Sequence, residues 1–188
     1  MLNDTVTQVL DKAGQFSNDF KSALEPQLHV EIYKNKQIIH AAGQVETNLY
    51  LIESGFARSY YYDRKGTEHT VRFWTSGDLI FSYEGYYKVP SFYYTEFMDI
   101  SHAIAFSYAD LIDLQKKFPE MSVLTKHMLL KNHKEEYERQ NILTLPANER
   151  YERLLEHNHT IFKRSPAKFI ASYLNMSRET LARLMGKQ

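Results

Sequence analysis

Two arginines and a glutamate lie close together near the C-terminus of the chain, at Arg178, Glu179 and Arg183. A guanidinium can donate two hydrogen bonds to O6 and N7 of guanine, and a carboxylate can accept one from N4 of cytosine. If the segment is helical, these positions fall on one face near the start of the helix. The residue types and their spacing therefore indicate a surface that reads base edges in a DNA major groove.

The residues around this set predict two short helices that can hold such a surface. Ile170 and Leu174 share one face of the first helix, and Leu181 and Leu184 share one face of the second. The small side chain of Ala171 lets the two helices cross closely. The pattern is typical of a helix-turn-helix.

The turn between the two helices has residues suited to its geometry. Asn175 falls where the chain needs a positive φ angle, which asparagine tolerates better than most residues. Met176 fills the corner, and Ser177 can cap the second helix through its hydroxyl. We expect Ser177 and Thr180 to contact DNA phosphates, which position a protein without specifying sequence.

Charge is unevenly divided along the 188 residues, although the formal net charge is zero. Residues 147–188 hold eight Lys/Arg and four Asp/Glu, whereas residues 1–146 hold fifteen and nineteen. A basic C-terminal part on an acidic body favours contact with a polyanion. Lys163, Arg164 and Lys168 are the further candidates for phosphate contacts.

The composition excludes several classes of protein. The chain has no cysteine, so it has no disulfide, cysteine-ligated cluster or thiolate zinc site. It has no stretch long and apolar enough to span a membrane, and its start lacks the layout of a signal peptide. We therefore expect a cytoplasmic protein without membrane contact, and no cofactor is evident.

The middle of the chain predicts a β-rich domain. Short runs rich in β-branched and aromatic residues, separated by turn signals, indicate strands of a sandwich or jelly roll. These runs are Leu28–Tyr33, Lys36–His40, Asn48–Glu53, Ala57–Tyr62, Glu68–Trp74 and His102–Phe106. Asp63 to Gly66, between two of them, is a hairpin signal.

Helical periodicity flanks the β region on both sides. A helix is predicted over residues 4–25, and a long one over 120–141, whose apolar half could pair with a second copy through Met121, Leu124 and Met128, extended by Tyr137. Packing of that helix on its own β domain is the alternative. The predicted fold class is α+β, with a β-roll sensory domain (1–118), a connecting or dimerisation helix (119–145) and a helix-turn-helix domain (146–188).

This order of elements resembles the Crp/Fnr family of bacterial transcription regulators over nearly the whole chain. The sharpest stretch, Ser177-Arg-Glu-Thr-Leu-Ala-Arg183, is similar to the recognition helix of the catabolite activator protein. The resemblance implies that Arg178, Glu179 and Arg183 read a TGTGA-like half-site of duplex DNA. It also implies a homodimer and an RNA polymerase partner. The region from Ala147 to Leu184 looks like the compact variant of Bacteroidetes-type members.

The chain departs from the family pattern where cyclic nucleotides bind. Where binders of this family carry Gly-Glu for the ribose and Arg-Ser for the phosphate, this chain has Phe81-Ser82 and Ser91-Phe92. A buried phosphate needs a paired cation, so this departure predicts that any effector is not cyclic AMP. Tyr83 and Tyr93 complete the candidate effector pocket, whose ligand is unknown: ring packing alone, an aromatic ligand and a filled pocket all remain open.

Two functions of other classes compete with this interpretation. A jelly roll can also hold a cupin-type metalloenzyme site, and His29, His40, His69 and His102 lie on predicted strands. No His-x-His pair with a following Glu appears there, which is why we expect no enzyme. A small-ligand-binding module without DNA function is the second alternative, and the complete recognition helix argues against it.

Overall fold

The computed structural model of the chain describes residues 3–186 and consists of two antiparallel sheets with helices before and after them. The strands are His29–Tyr33 (β1), Ile38–His40 (β2), Asn48–Ser54 (β3), Phe56–Tyr62 (β4), Glu68–Thr75 (β5), Leu79–Ile80 (β6), Tyr94–Phe97 (β7) and Ser101–Ser107 (β8). The helices are Asp4–Ala13 (α1), Asn18–Leu24 (α2), Tyr83–Tyr87 (α3), Tyr108–Lys117 (α4), Pro119–Leu143 (α5), Ala147–His157 (α6), His159–Arg164 (α7), Ala167–Tyr173 (α8) and Arg178–Met185 (α9). A 3₁₀ turn follows α2 at Glu25–Gln27.

The two sheets pack face to face around an aromatic core. The first sheet has the strand order β1-β8-β3-β6 and the second the order β2-β7-β4-β5. Between them the ring of Tyr33 stacks on Phe97 at 4.6 Å and meets Tyr50 edge-on at 5.7 Å. Such offset and edge-to-face pairs are the favoured aromatic geometries. The predicted α+β class with an antiparallel roll is confirmed.

Helices cover the outer face of the first sheet. Leu49, Leu51 and Ile104 of β3 and β8 pack there with buried residues of α1, α2, α4 and α5. The predicted N-terminal helix of residues 4–25 is interrupted at Gly14, where α1 ends, and resumes at α2. This break lets two short helices follow the curved sheet.

The apolar half of α5 belongs to this core rather than to a dimer seam. Met121, Leu124 and Met128 are only 0%, 6% and 5% exposed, because they pack against α1 and the first sheet. The seam expected on these three residues is therefore wrong, and the alternative of packing on the chain's own β domain is confirmed. Tyr137, the fourth seam residue, is 60% exposed.

The six strand-like runs of the sequence are all strands, but the segment between β5 and β8 contains more than they predict. It contains β6, the short helix α3 and β7. Ser82 caps α3 by accepting from the backbone N–H of Gly85. Gly85 lies so close to the Tyr108 ring that a Cβ would come within 2.2 Å of it. Absence of a side chain at Gly85 thus allows α3 to seat against α4.

The C-terminal helices share a third core with the second sheet. Phe56 and Phe73 of β4 and β5 pack with buried residues of α6, α7, α8 and α9. The ring of Phe73 lies 5.2 Å from that of Tyr173 on α8, and the Ser172 hydroxyl accepts from the backbone N–H of Thr70 at 2.9 Å. The helix-turn-helix is thus docked on the sheet through its first helix.

Candidate nucleic-acid interface and effector cavity

The segment α8–turn–α9 has the geometry that its residues predict. Ile170, Leu174 and Leu181 are at most 1% exposed, and Ala171 is buried between them. Asn175 has φ 49°, the left-handed conformation expected at the turn. The helix-turn-helix prediction is confirmed as a local structure.

The start of α9 presents the candidate base-reading residues to solvent. The Ser177 hydroxyl accepts from the backbone N–H of Thr180 at 3.1 Å, so it caps the helix as expected. Arg178, Glu179 and Arg183 are all exposed, whereas Leu181 faces inward. The backbone N–H of Glu179 and the Ser177 hydroxyl hold the pKa of the Glu179 carboxyl below its ordinary value. This face therefore carries two guanidinium groups, each with five N–H donors, and one carboxylate that accepts hydrogen bonds.

The candidate phosphate-binding cations lie on α7 and α8. Lys163 and Lys168 are exposed, and the Lys168 ammonium lies 4.5 Å from the ring centre of Phe169. Arg164 is exposed too, but it is paired with Asp99 and donates to the backbone carbonyl of Gly55 at 2.8 Å. A phosphate contact by Arg164 requires this link to open.

A cavity of about 240 Å³ lies between the second sheet and α5. Four of the six candidate effector residues line it: Phe81, Ser82, Tyr83 and Tyr93. The other two lie elsewhere. The Ser91 hydroxyl is buried against the backbone of Tyr93, and the ring of Phe92 is 70% exposed beside a separate cleft.

One wall of this cavity is a buried polar cluster. His40 Nδ1 lies 3.1 Å from Glu46 Oε2, and the Ser82 hydroxyl donates to the same carboxylate oxygen. Burial lowers the pKa of His40, although the Glu46 carboxylate opposes that shift. The Glu46 carboxylate is thus engaged by His40 and Ser82 within the wall before any ligand enters.

The four strand histidines do not converge. His40 pairs with Glu46, His69 lies 3.0 Å from Asp63, and both His29 and His102 are exposed. Across residues 3–186 no three His, Asp or Glu side chains are grouped so that they could hold a metal ion. No helix within the same residues is long and apolar enough to cross a membrane.

Solved structures of other proteins share this architecture. FixK2 from Bradyrhizobium japonicum superposes with a TM-score of 0.75 at 15% identity, over 85% of this chain and 83% of that one. A protein described as a Crp/Fnr-family regulator from Eubacterium rectale gives 0.71 at 17%, over 92% and 83%. The c-di-GMP-responsive regulator CLP from Xanthomonas campestris gives 0.66 at 16%, over 91% of each chain.

The chain has the Crp/Fnr fold. A curated relative is the anaerobic regulatory protein of Aggregatibacter actinomycetemcomitans, 24% identical over 168 residues that cover 82% of this chain. The chain spans 64% of the length of that relative. No family model matches the sequence.

The cavity also contains two arginines that the sequence did not predict there. Arg72 of β5 and Arg139 of α5 both line it, although neither lies in the segment where family members place their phosphate-binding arginine. Burial lowers the pKa of Arg72 to about 10. Arg139 lies in the polar half of the helix predicted over residues 120–141, where no local signal indicates that it faces the sheet.

Proposed function

We propose that the chain is a sequence-specific DNA-binding transcription regulator of the Crp/Fnr type, working in the cytoplasm as an effector-modulated homodimer. The observation that carries this proposal is the capped helix α9, which exposes Arg178, Glu179 and Arg183 while burying Leu181. α9 enters the major groove, and the arginines read guanine edges.

The phosphate backbone is held by residues around this helix. Ser177 and Thr180 lie at its start, and Lys163, Arg164 and Lys168 lie on the neighbouring helices. These contacts give affinity and register but no sequence preference. The family resemblance adds RNA polymerase as the partner of the DNA-bound protein.

Dimerisation supplies the second recognition helix. A single recognition helix covers few base pairs, and two helices need half-sites about 34 Å apart. Exposed apolar residues recur every seven positions along α5, at Val123, Leu130 and Tyr137, which are 51%, 58% and 60% exposed. This spacing is that of one seam position of a coiled coil, so the second copy packs on this stripe.

Selection of bound duplexes from random DNA tests the proposal. The full-length protein is expected to enrich a palindromic motif, and the double variant Arg178→Ala with Arg183→Ala is expected to lose it. Arg153→Ala is the matched control, because Arg153 is an exposed arginine on α6 of the same helical unit. If the wild-type chain enriches no motif, the regulator proposal is wrong.

A further inference from the structure

In the described part of the chain, the guanidinium of Arg139 has no hydrogen-bond partner. Its side chain is only 18% exposed, and its Nε is shut off from solvent without an acceptor. Among residues 3–186 the nearest carboxylate oxygen is Oε1 of Glu136, 3.9 Å from Nη1, which is too far for a hydrogen bond. A guanidinium that is largely withdrawn from solvent is usually paired, so Arg139 is suited to bind an acceptor that enters the cavity.

This guanidinium lines the 240 Å³ cavity beside aromatic walls formed by Trp74, Phe81 and Tyr93. The other guanidinium there is already engaged. Arg72 donates to Oδ1 of Asn132 at 2.7 Å, pairs with Glu135 and lies 3.8 Å above the ring of Trp74. Arg139 is therefore the cation of this cavity that is left for a ligand.

We propose that the cavity binds a small organic monoacid with one planar ring, whose carboxylate is held by Arg139. A guanidinium matches a carboxylate through two parallel hydrogen bonds, and the ring fits between the aromatic walls. This inference rests on the proposed effector-modulated regulator and names the chemical class of its effector.

Size and charge restrict the ligand further. The cavity is smaller than the range of about 300–1,000 Å³ that is usual for drug-sized ligands, so one ring fits better than a nucleotide. Three carboxylates, Glu46, Glu84 and Glu136, also line it, and they disfavour a second negative charge. A carboxylate with a single charge satisfies both limits, whereas a dianion or a phosphate monoester does not.

Arg139 also touches the DNA-binding unit, which gives the ligand a route to regulation. Its guanidinium carbon lies 5.6 Å from the ring centre of Tyr173 on α8, within the range of a cation–π contact. Tyr173 in turn packs on Phe73 of the second sheet. A carboxylate that binds Arg139 competes for the same guanidinium, so ligand binding changes how α8 is held.

Trp74 reports directly on the cavity because it is the only tryptophan of the chain. The test is to follow Trp74 fluorescence while the protein is titrated with benzoate and phenylacetate, and with the neutral isosteres benzamide and phenylacetamide. We expect each acid to bind at least ~10-fold more tightly than its amide, a difference of about 1.4 kcal/mol. Arg139→Gln is expected to remove that preference, and Arg139→Lys to keep part of it. Arg64→Gln, in the exposed β4–β5 turn, is the control and is expected to change nothing.

Three results would each overturn the inference: amides that bind as tightly as acids, an acid preference that survives Arg139→Gln in a folded variant, or no response to any acid up to ~10 mM. Duplex affinity measured with and without benzoate tests the link to α8. We expect a change of about 5-fold or more that Arg139→Gln abolishes, and equal affinities contradict the link. The selection of duplexes is done without any acid, so its result does not depend on these titrations. If a motif is enriched but no acid preference is found, the regulator proposal stands and only the ligand proposal fails.

Discussion

The guanidinium carbon of Arg58 lies 3.5 Å from the ring centre of Phe169, so β4 and the first helix of the helix-turn-helix hold each other directly. The positive charge of Arg58 is balanced by two carboxylates of the same sheet. Arg58 Nε donates to Glu96 at 2.7 Å, and its terminal nitrogens donate to Glu68 at 2.7 and 3.1 Å. The docking of α8 therefore depends on an ion-pair cluster of the second sheet.

Removal of Arg58 should destabilise the whole chain. Arg58→Ala leaves Glu96, only 14% exposed, without its cation and removes the face that covers Phe169. Loss of one partner of a buried ion pair costs about 3–5 kcal/mol, and the partial exposure of Glu68 places the expected loss near the lower limit. Urea unfolding measures it. Arg64→Ala, at the exposed hairpin turn, should stay within about 0.5 kcal/mol of the wild type, and an equally small effect of Arg58→Ala would contradict this account.

Acid should weaken the same cluster through Glu68. Burial tends to raise the pKa of the Glu68 carboxyl, but the hydrogen bonds and charge of Arg58, together with the charge of Lys168, outweigh burial and lower it. A carboxylate whose pKa is lower in the folded state stabilises the fold above its unfolded pKa of about 4.3, and this stabilisation is lost as the pH falls through the folded pKa. The stability difference between the wild type and Glu68→Gln should therefore be largest near neutral pH and shrink below about pH 4. Urea unfolding at several pH values measures this, and a difference that grows in acid would show the opposite sign.

The residues proposed to read bases and those proposed to bind phosphates should differ in their effects on DNA binding. Arg178→Ala should cost about 1–3 kcal/mol on the selected duplex and relax the preference at one G·C pair. Lys168→Ala should weaken binding to all sequences alike and flatten its dependence on salt. Titrations with the selected and scrambled duplexes at two salt concentrations separate the two effects. A uniform loss for Arg178→Ala would remove it from the base-reading set.

The dimer should depend on the exposed stripe of α5 rather than on its buried face. Leu130→Asp places a charge at the centre of the stripe, where the side chain is 58% exposed, so the monomer fold should persist. Sedimentation at micromolar concentration should show a dimer for the wild type and a monomer for the variant. Glu138→Lys, at an exposed position of the same helix outside the stripe, is the control. A wild-type monomer with and without palindromic DNA would rule out the proposed dimer.

Cyclic AMP should not bind with useful affinity. Ser82 donates to Glu46 and Ser91 is directed at the Tyr93 backbone, so neither replaces the charged groups that cyclic-nucleotide binders carry there. The lost charged contact costs on the order of 2–5 kcal/mol, which moves a micromolar site toward the millimolar range. Titration calorimetry with cyclic AMP and cyclic GMP measures this. A dissociation constant near or below ~10 µM would show that another residue, such as Arg139, holds the phosphate.

The helix-turn-helix was predictable because every feature that defines it is local. Its apolar spacing, the left-handed turn at Asn175 and the Ser177 cap all fall within a few residues of one another. The strands were predictable for the same reason, since β-branched and aromatic runs between turn residues mark them. Helix α3 was missed because its short aromatic segment has neither a clear helical nor a clear strand period.

The cavity was only partly predictable because its walls come from distant parts of the chain. Arg72 and Arg139 meet there although 66 positions separate them along the chain. The apolar face of α5 posed a similar problem. A sequence pattern shows that Met121 and Leu124 must be buried, but it does not show whether a second copy or the chain's own sheet covers them.

The shared core of Phe56 and Phe73 with the C-terminal helices limits how this fold can be re-engineered. A helix-turn-helix domain that is joined to its neighbour only by a linker can be exchanged between proteins by cutting in that linker. Here, a chimera cut before α6 would separate two halves of one hydrophobic core and leave both aromatic rings uncovered. A chimera that keeps its fold must therefore keep β4 and β5 together with α6–α9.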